Sequence, residues 1–205
     1  MRIAVFSTPR TCSTLLCEVL AKKFDIHNHN EKLYGVYQKA DRDKKVEVLT
    51  STDNYVVKLF AKYFHNNLYI DSELFDWNIF DHVFVTQREN LVDQMASLYR
   101  MWFPKETTML FSEEVLGWYE LQNEYMQVFY KIKKQLVETH KSVIVVKHEM
   151  LQEIPYQYLN TITDMEFVER DFDVNRNKTN IEYSKYYTNY NELKNIIAQW
   201  NLMET

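Results

Sequence analysis

A short segment rich in hydroxyl groups is the part of the chain best suited to chemistry. The letters STPRTCST (residues 7–14) follow the apolar run at residues 3–6 and lead into a helical pattern that starts at Ser13. The first N–H groups of a helix have no partner within the helix, and its dipole favours negative charge at that end. Ser13 and Thr14 add hydroxyl donors, and Arg10 adds a cation suited to phosphate or sulfate. The segment therefore predicts an anion site, with a simple helix cap and a solvated arginine as the alternative.

Two well-known phosphate loops do not fit this segment. The Walker A pattern needs glycines and a lysine that the segment lacks, and the whole chain has only two glycines. A low-molecular-weight phosphatase loop needs an arginine six residues after its cysteine, whereas Glu18 stands six residues after Cys12. An ordinary ATP or GTP enzyme and a phosphatase of that type are therefore disfavoured.

The elements that must position this segment are the strands of a parallel sheet. Four continuous apolar or β-branched runs predict buried strands, at residues 3–6, 55–59, 82–86 and 142–147, and residues 165–168 are a weaker fifth candidate. Helical patterns separate them. We therefore expect an α/β fold, a single P-loop-like domain over residues 1–205 with a central parallel sheet of about four to five strands flanked by helices.

The helical patterns carry recognisable start signals. They cover residues 13–24, 90–102, a long stretch from 113 to about 140, and a final amphipathic stripe of Leu193, Ile196, Ile197 and Trp200. Ser112 is the predicted N-cap of the long helix. Asn189, with Glu192 three residues later, resembles a capping box for the last one.

The predicted sheet brings positive charge to one edge. In doubly wound sheets, ligands bind at the carboxyl ends of the strands. Four cations lie at or just after such ends, namely Arg10, Lys58, Arg88 and Lys147. An anionic cofactor requires this convergence.

The bulk composition limits the class of protein. A net charge of −5 argues against nucleic-acid binding, because that binding depends on basic surface. The N-terminal sequence MRIAVF is followed directly by polar residues, which predicts no signal peptide. No apolar run is long enough for a transmembrane helix. Cys12 and Cys17 are poorly placed for a disulfide, so we expect free thiols in a reducing compartment and a cytoplasmic protein.

Two segments of the chain resemble the nucleotide-binding motifs of sulfotransferases. The stretch VFSTPRTCSTLLCEVLAKKF (residues 5–24) resembles their 5′-phosphosulfate loop, above all that of the bacterial trehalose sulfotransferase type, with Cys12 where the family usually has glycine. The stretch QRENLVDQMASLY (residues 87–99) resembles their 3′-phosphate segment. Weaker similarities are YVVKLF around Lys58, VIVVKHEMLQEIP with His148 in place of tyrosine, and the basic segment NRNKTNIEYSKYY.

The resemblance implies a reaction and a set of binding residues. It implies transfer of a sulfuryl group from 3′-phosphoadenosine 5′-phosphosulfate to a hydroxyl of a carbohydrate or small molecule, without a metal, leaving 3′-phosphoadenosine 5′-phosphate. Arg10 stabilises the leaving nucleotide in this scheme. The residues implied to bind the nucleotide are Pro9, Arg10, Thr11, Cys12, Ser13 and Thr14 at the 5′ end, Arg88 and Ser97 at the 3′-phosphate, and Arg176 and Lys178 in the C-terminal loop.

The acceptor hydroxyl needs a base, and the polar segment HNHNE (residues 27–31) offers two candidates. The trehalose type implies Glu31, and other sulfotransferases imply a histidine, here His29. Alternatively, His27, His29 and Glu31 share one face of a strand and bind a metal, or the segment is an exposed polar loop. Two other functions remain open: an atypical P-loop kinase, and a nucleotide-binding relic that has lost turnover, for which Cys12 is the best argument.

Overall fold

A computed structural model describes residues 1–30, 53–67, 70, 75–172 and 181–200. Five strands form one parallel sheet in the order β2-β3-β1-β4-β5. Their bounds are β1 Arg2–Ser7, β2 His27–Asn30, β3 Tyr55–Phe60, β4 His82–Gln87 and β5 Val143–Lys147. The α/β class with a central parallel sheet flanked by helices is thereby confirmed.

Helices cover both faces of the sheet. The α-helices are α1 Ser13–Phe24, α2 Leu91–Trp102, α3 Glu113–Thr139, α4 His148–Glu153, α5 Pro155–Ile162, α6 Tyr183–Tyr186 and α7 Tyr190–Ile197. Short 3₁₀ helices lie at Ala61–Tyr63, His65–Asn67, Trp77–Ile79 and Glu169–Phe172. No helix in the described ranges has both the length and the apolar character needed to cross a lipid bilayer.

The central strands β1, β3 and β4 are largely apolar because both of their faces are buried. Phe6 on one face packs in a cluster with Phe129 of α3, and the two rings stack at 5.2 Å. Val5 on the other face packs in a second cluster with Leu16 of α1 and Leu159 of α5. A strand buried on two sides has no polar alternation, and such strands are the ones that sequence patterns predict well.

A third cluster joins α2 to the C-terminal helices. Tyr99 of α2, Tyr119 of α3 and Leu193 of α7 are fully or almost fully buried within it. This packing confirms the amphipathic final helix that the sequence predicts. It also fixes the orientation of α2, from which Gln94 and Ser97 contact the β1 loop.

The predicted fifth strand at residues 165–168 is wrong. Phe167 is buried, but both of its backbone groups bond to one side chain: its N–H donates to Asn160 Oδ1 at 2.6 Å, and its C=O accepts from Asn160 Nδ2 at 2.9 Å. An amide that supplies both a donor and an acceptor replaces a neighbouring strand. Among the described residues the fifth strand is instead β2, whose sequence HNHN has low β propensity and which pairs with β3 at the edge of the sheet.

Two helix starts are placed correctly, but neither is capped as predicted. α7 begins after Asn189, yet the Asn189 side chain bonds Met109 instead, accepting from its N–H at 2.9 Å and donating to its C=O at 2.8 Å. α3 begins after Ser112 without a side-chain cap bond. The predicted capping box is therefore wrong, because the Asn189 amide bonds to Met109 and not to the first turn of α7.

Candidate functional site

The loop after β1 turns sharply without glycine. Arg10 has φ 66° and Cys12 has φ 60°, both in the left-handed region. Pro9 followed by a residue of positive φ is the pattern of a type II turn. Cys12 is the N-cap of α1, and its C=O accepts the first helical bond, from Leu16 N–H at 3.1 Å. The loop thus adopts left-handed backbone conformations that favour glycine, at the steric cost of a Cβ at each of the two positions.

This conformation predicts an unusual order of stability at position 12. Cys12→Gly should be about 1 kcal/mol more stable to urea than Cys12→Ala, because only glycine adopts positive φ without steric cost. The same pair at Glu18, inside α1, should show the reverse order by about 0.5–1 kcal/mol. An alanine variant as stable as the glycine variant at position 12 would contradict the strain.

Two interior contacts hold the loop in place. The Thr11 hydroxyl donates to Thr8 C=O at 2.9 Å, so in its 2.8 Å contact with Thr86 of β4 the Thr86 hydroxyl must be the donor. Thr11 is fully buried. Its hydroxyl is therefore an internal link between the β1 loop and β4 and has no hydrogen left for a ligand, which differs from the expected role of its side chain.

Gln94 of α2 is a second clamp on the loop, and sequence reasoning missed it. Its Nε2 donates to Thr8 Oγ1 at 2.8 Å and to Pro9 C=O at 2.7 Å, and the side chain is completely buried. A signal exists in the sequence: Gln94 and Ser97 stand three residues apart in a helix whose neighbouring positions, Met95 and Leu98, are apolar. Polar residues at that spacing share one helix face, which here is the face toward the loop.

Arg10 and Ser97 meet, although 87 positions separate them. Arg10 Nε donates to Ser97 Oγ at 2.9 Å. Ser97 is buried, whereas Arg10 is exposed. The contact lies beside the carboxyl ends of β1 and β4, where the chain leaves the two neighbouring strands in opposite directions across the sheet. Such a switch point is where doubly wound sheets bind ligands.

A buried lysine reaches the first turn of α1 from the neighbouring strand. Lys58 of β3 is 1% exposed, and its Nζ donates to Thr14 Oγ1 at 2.8 Å and lies 5.0 Å from the centre of the Phe60 ring. Burying an ammonium group is costly unless it is well bonded. Lys58 therefore adds fixed positive charge beneath the helix N-terminus, and together with Arg10 it makes the loop cationic.

The second predicted segment is more crowded. Arg88 follows β4, and its side chain lies between two carboxylates, with Nη2 3.8 Å from Asp93 Oδ2 and Nε 3.8 Å from Glu149 Oε1. Lys147 at the end of β5 pairs with Glu89 at 2.7 Å, and this hydrogen bond raises the pKa of Lys147. Arg88 is thus at the expected edge of the sheet, with acidic neighbours that sequence reasoning did not foresee.

Another cation at this edge comes from the long helix. Lys133 of α3 donates to Gln87 Oε1 at the end of β4, at 2.8 Å, and burial lowers the pKa of Lys133. Nothing in the local pattern distinguishes Lys133 from the other lysines of α3. Its place becomes apparent only from the packing of α3 on the sheet.

His29 is not brought to the loop. It lies on the edge strand β2, two strands from β1, with its ring 4.7 Å from His27 and 5.1 Å from Tyr55. β2 ends opposite Val57, and β3 continues three residues further to Phe60, so His29 is at least about 10 Å short of the carboxyl edge.

The remaining predicted site residues divide into two groups. Ser13 is buried at the start of α1, and Cys12 Sγ accepts a hydrogen bond from Gln152 Nε2 at 3.5 Å. Glu31, Arg176 and Lys178 lie outside the described residues. Within the described ranges, no three His, Cys, Asp or Glu side chains form a group that could hold a metal, although Glu31, the third member of the proposed metal set, is not among them.

Comparisons with known proteins leave the family open. No protein-family model and no curated protein matches the chain. Among solved structures, it is similar to an unliganded sugar kinase from Janibacter sp. HTCC2649, with 8% identity and a TM-score of 0.36 over 78% of this chain and 92% of that one. A likeness of this size does not establish a shared family or activity.

Proposed function

We propose that the chain is a sulfotransferase that moves a sulfuryl group from 3′-phosphoadenosine 5′-phosphosulfate to a hydroxyl of a carbohydrate or small molecule. The observation that carries this proposal is the bond between Arg10 Nε and Ser97 Oγ at 2.9 Å. These residues belong to the two segments that resemble the 5′-phosphosulfate loop and the 3′-phosphate segment. Their contact puts the two segments side by side, as one nucleotide with phosphates at both ends requires.

The residues of the β1 loop suit transfer of a sulfuryl group. Such transfer resembles phosphoryl transfer, in which positioning and charge stabilisation do most of the work. In the proposed reaction Arg10 stabilises the charge that develops on the departing 5′-phosphate. The N–H groups at the start of α1 bind the same phosphate, and Lys58 holds the Thr14 hydroxyl in that first turn at 2.8 Å.

Glu31 is the proposed general base that accepts the proton of the acceptor hydroxyl. It follows β2 directly in the sequence, and the resemblance to the trehalose type supports this role. His29 is the weaker candidate, because its ring packs against Tyr55 on the edge strand, away from Arg10.

Nucleotide selectivity tests the proposal directly. By calorimetry, 3′-phosphoadenosine 5′-phosphate should bind more tightly than adenosine 5′-phosphate, and Arg88→Ala should remove that preference. A charge-assisted contact is worth about 1.5–3 kcal/mol, or roughly 10- to 150-fold in affinity. Arg170→Ala is a matched control, because Arg170 is an exposed arginine that follows α5 in a separate 3₁₀ helix.

Other outcomes of that experiment separate the alternative functions. Equal affinity for the two nucleotides would reject the assignment of Arg88, and tight binding of ATP instead would favour a kinase. Transfer of radiolabelled sulfate to a library of hydroxyl acceptors distinguishes an active enzyme from a relic that binds the nucleotide without turnover.

A further inference from the structure

Glu149 occupies the position at which an anion is expected in the second segment. Its carboxylate accepts from the N–H of Glu89 at 3.2 and 3.3 Å and from the N–H of Asn90 at 3.4 Å, just before α2 begins. It also faces Arg88, with Nε and Oε1 3.8 Å apart. Backbone N–H groups at a helix N-terminus together with an arginine are the groups that bind a phosphate. The chain therefore supplies an anion of its own to the groups that the 3′-phosphate needs.

This internal contact is loose. Charge-assisted hydrogen bonds are usually about 2.7–2.9 Å long, and the contacts of Glu149 are all longer. Arg88 Nε is buried and makes no hydrogen bond, and the Arg88 side chain is only 12% exposed. The Glu149 side chain is 36% exposed. An anion with better geometry can replace this carboxylate, which can turn out into solvent.

Asp93, the other carboxylate beside Arg88, is held differently. Its Oδ1 accepts from the Tyr190 hydroxyl at 2.7 Å, and its Oδ2 accepts from Asn90 Nδ2 at 3.0 Å. These two short bonds fix Asp93 to its own helix and to α7. Of the two acidic neighbours of Arg88, Glu149 is thus the one that can move away.

The local charge makes this competition important. Two cations, Arg88 and Lys147, face three carboxylates, Glu89, Asp93 and Glu149. Lys133, bonded to Gln87 at the same edge, brings the balance to three cations and three carboxylates, so an incoming phosphate meets no excess of positive charge. At the first loop, by contrast, Arg10 is bonded to the neutral hydroxyl of Ser97.

We propose that Glu149 is a built-in competitor for the 3′-phosphate of the nucleotide and thereby lowers the selectivity for nucleotides that carry one. This inference rests on the proposed function. Glu149 leaves Arg88 and the two N–H groups when the nucleotide binds, and it returns as the product nucleotide departs. Selectivity is then set by a difference between two anions, the ligand's phosphate and the chain's own carboxylate.

The test compares two nucleotides and two variants. Calorimetry gives the ratio of the Kd for adenosine 5′-phosphate to the Kd for 3′-phosphoadenosine 5′-phosphate. Glu149→Gln should raise this ratio about tenfold, because the amide oxygen still accepts from Glu89 N–H while the competing charge is gone. Glu153→Gln, one turn later on the same helix and exposed, should leave the ratio within about twofold. In stopped-flow experiments, Glu149→Gln should also slow release of 3′-phosphoadenosine 5′-phosphate.

The outcomes separate this inference from the proposed function. If the wild-type protein prefers the 3′-phosphorylated nucleotide and Glu149→Gln leaves the ratio unchanged or lowers it, Glu149 orients Arg88 and does not compete, so the inference is overturned. If the wild type and Glu149→Gln bind both nucleotides equally, or bind neither, the proposed function falls and the inference falls with it. A melting curve of each variant shows that the protein is folded.

Discussion

Arg10→Ala is expected to lower the turnover number for sulfuryl transfer by about 100- to 1000-fold, the range seen when a donor that stabilises transition-state charge is removed. In the proposed reaction the contact of Arg10 with the departing phosphate strengthens as charge develops on that phosphate, so its loss acts on the transition state more than on the bound nucleotide. The affinity for 3′-phosphoadenosine 5′-phosphate should therefore fall by less than about tenfold. Radiolabelled sulfate transfer measures the first quantity and calorimetry the second.

Two controls make the Arg10 experiment decisive. Arg2→Ala removes an arginine at the other end of the same strand, where Arg2 pairs with Asp53 at 2.8 Å, and it should leave turnover near the wild-type value. Ser97→Ala removes the partner that holds Arg10 Nε and should lower turnover by a smaller factor than Arg10→Ala, since the cation remains. Near-normal turnover in Arg10→Ala would show that Arg10 only supports the loop.

Glu31→Gln is expected to lower turnover by about 100-fold or more. Glutamine keeps the shape of the side chain but cannot take up the proton of the hydroxyl group that receives the sulfuryl group. Nucleotide affinity should remain level, since a base contacts the acceptor and not the nucleotide. Turnover is measured with saturating nucleotide, so that a change in affinity does not enter the result.

His29→Gln is the matched comparison for Glu31→Gln. His29 lies two strands from β1 and packs against His27 and Tyr55, so its replacement should change turnover by less than about threefold. If His29→Gln abolishes transfer and Glu31→Gln leaves it intact, histidine is the base and the assignment of Glu31 is wrong.

The parts of this fold that the sequence predicts are those whose environment is uniform. β1 and β3 are buried on both faces, and their apolar letters, interrupted within β3 by Lys58, identify them to within one residue at each end. α1 begins at Ser13 and ends at Phe24, as its helical spacing predicts. By contrast, β2 is polar, and its alternating letters made a strand only one of several alternatives, which its pairing with β3 decides.

The sequence also predicts an anion site at the β1 loop, because that inference depends on strand, turn and helix start alone. Which hydroxyls remain for a ligand was decided by tertiary contacts. The Thr11 hydroxyl is hydrogen-bonded to Thr8 and Thr86, and the Thr14 hydroxyl accepts a hydrogen bond from Lys58 of β3. These partners are distant in sequence, and no local pattern reports a bond between distant residues.

The same distinction applies to the second segment. The sequence by itself placed Arg88 after a strand and Ser97 on a helix, and the fold brings Ser97 to Arg10. Only the tertiary structure placed Glu149 against Arg88, because α4 follows β5 and β5 lies next to β4. The net charge at a site is the sum of the charged side chains that every neighbouring helix, strand and loop contributes. A sequence motif describes only one of these elements at a time.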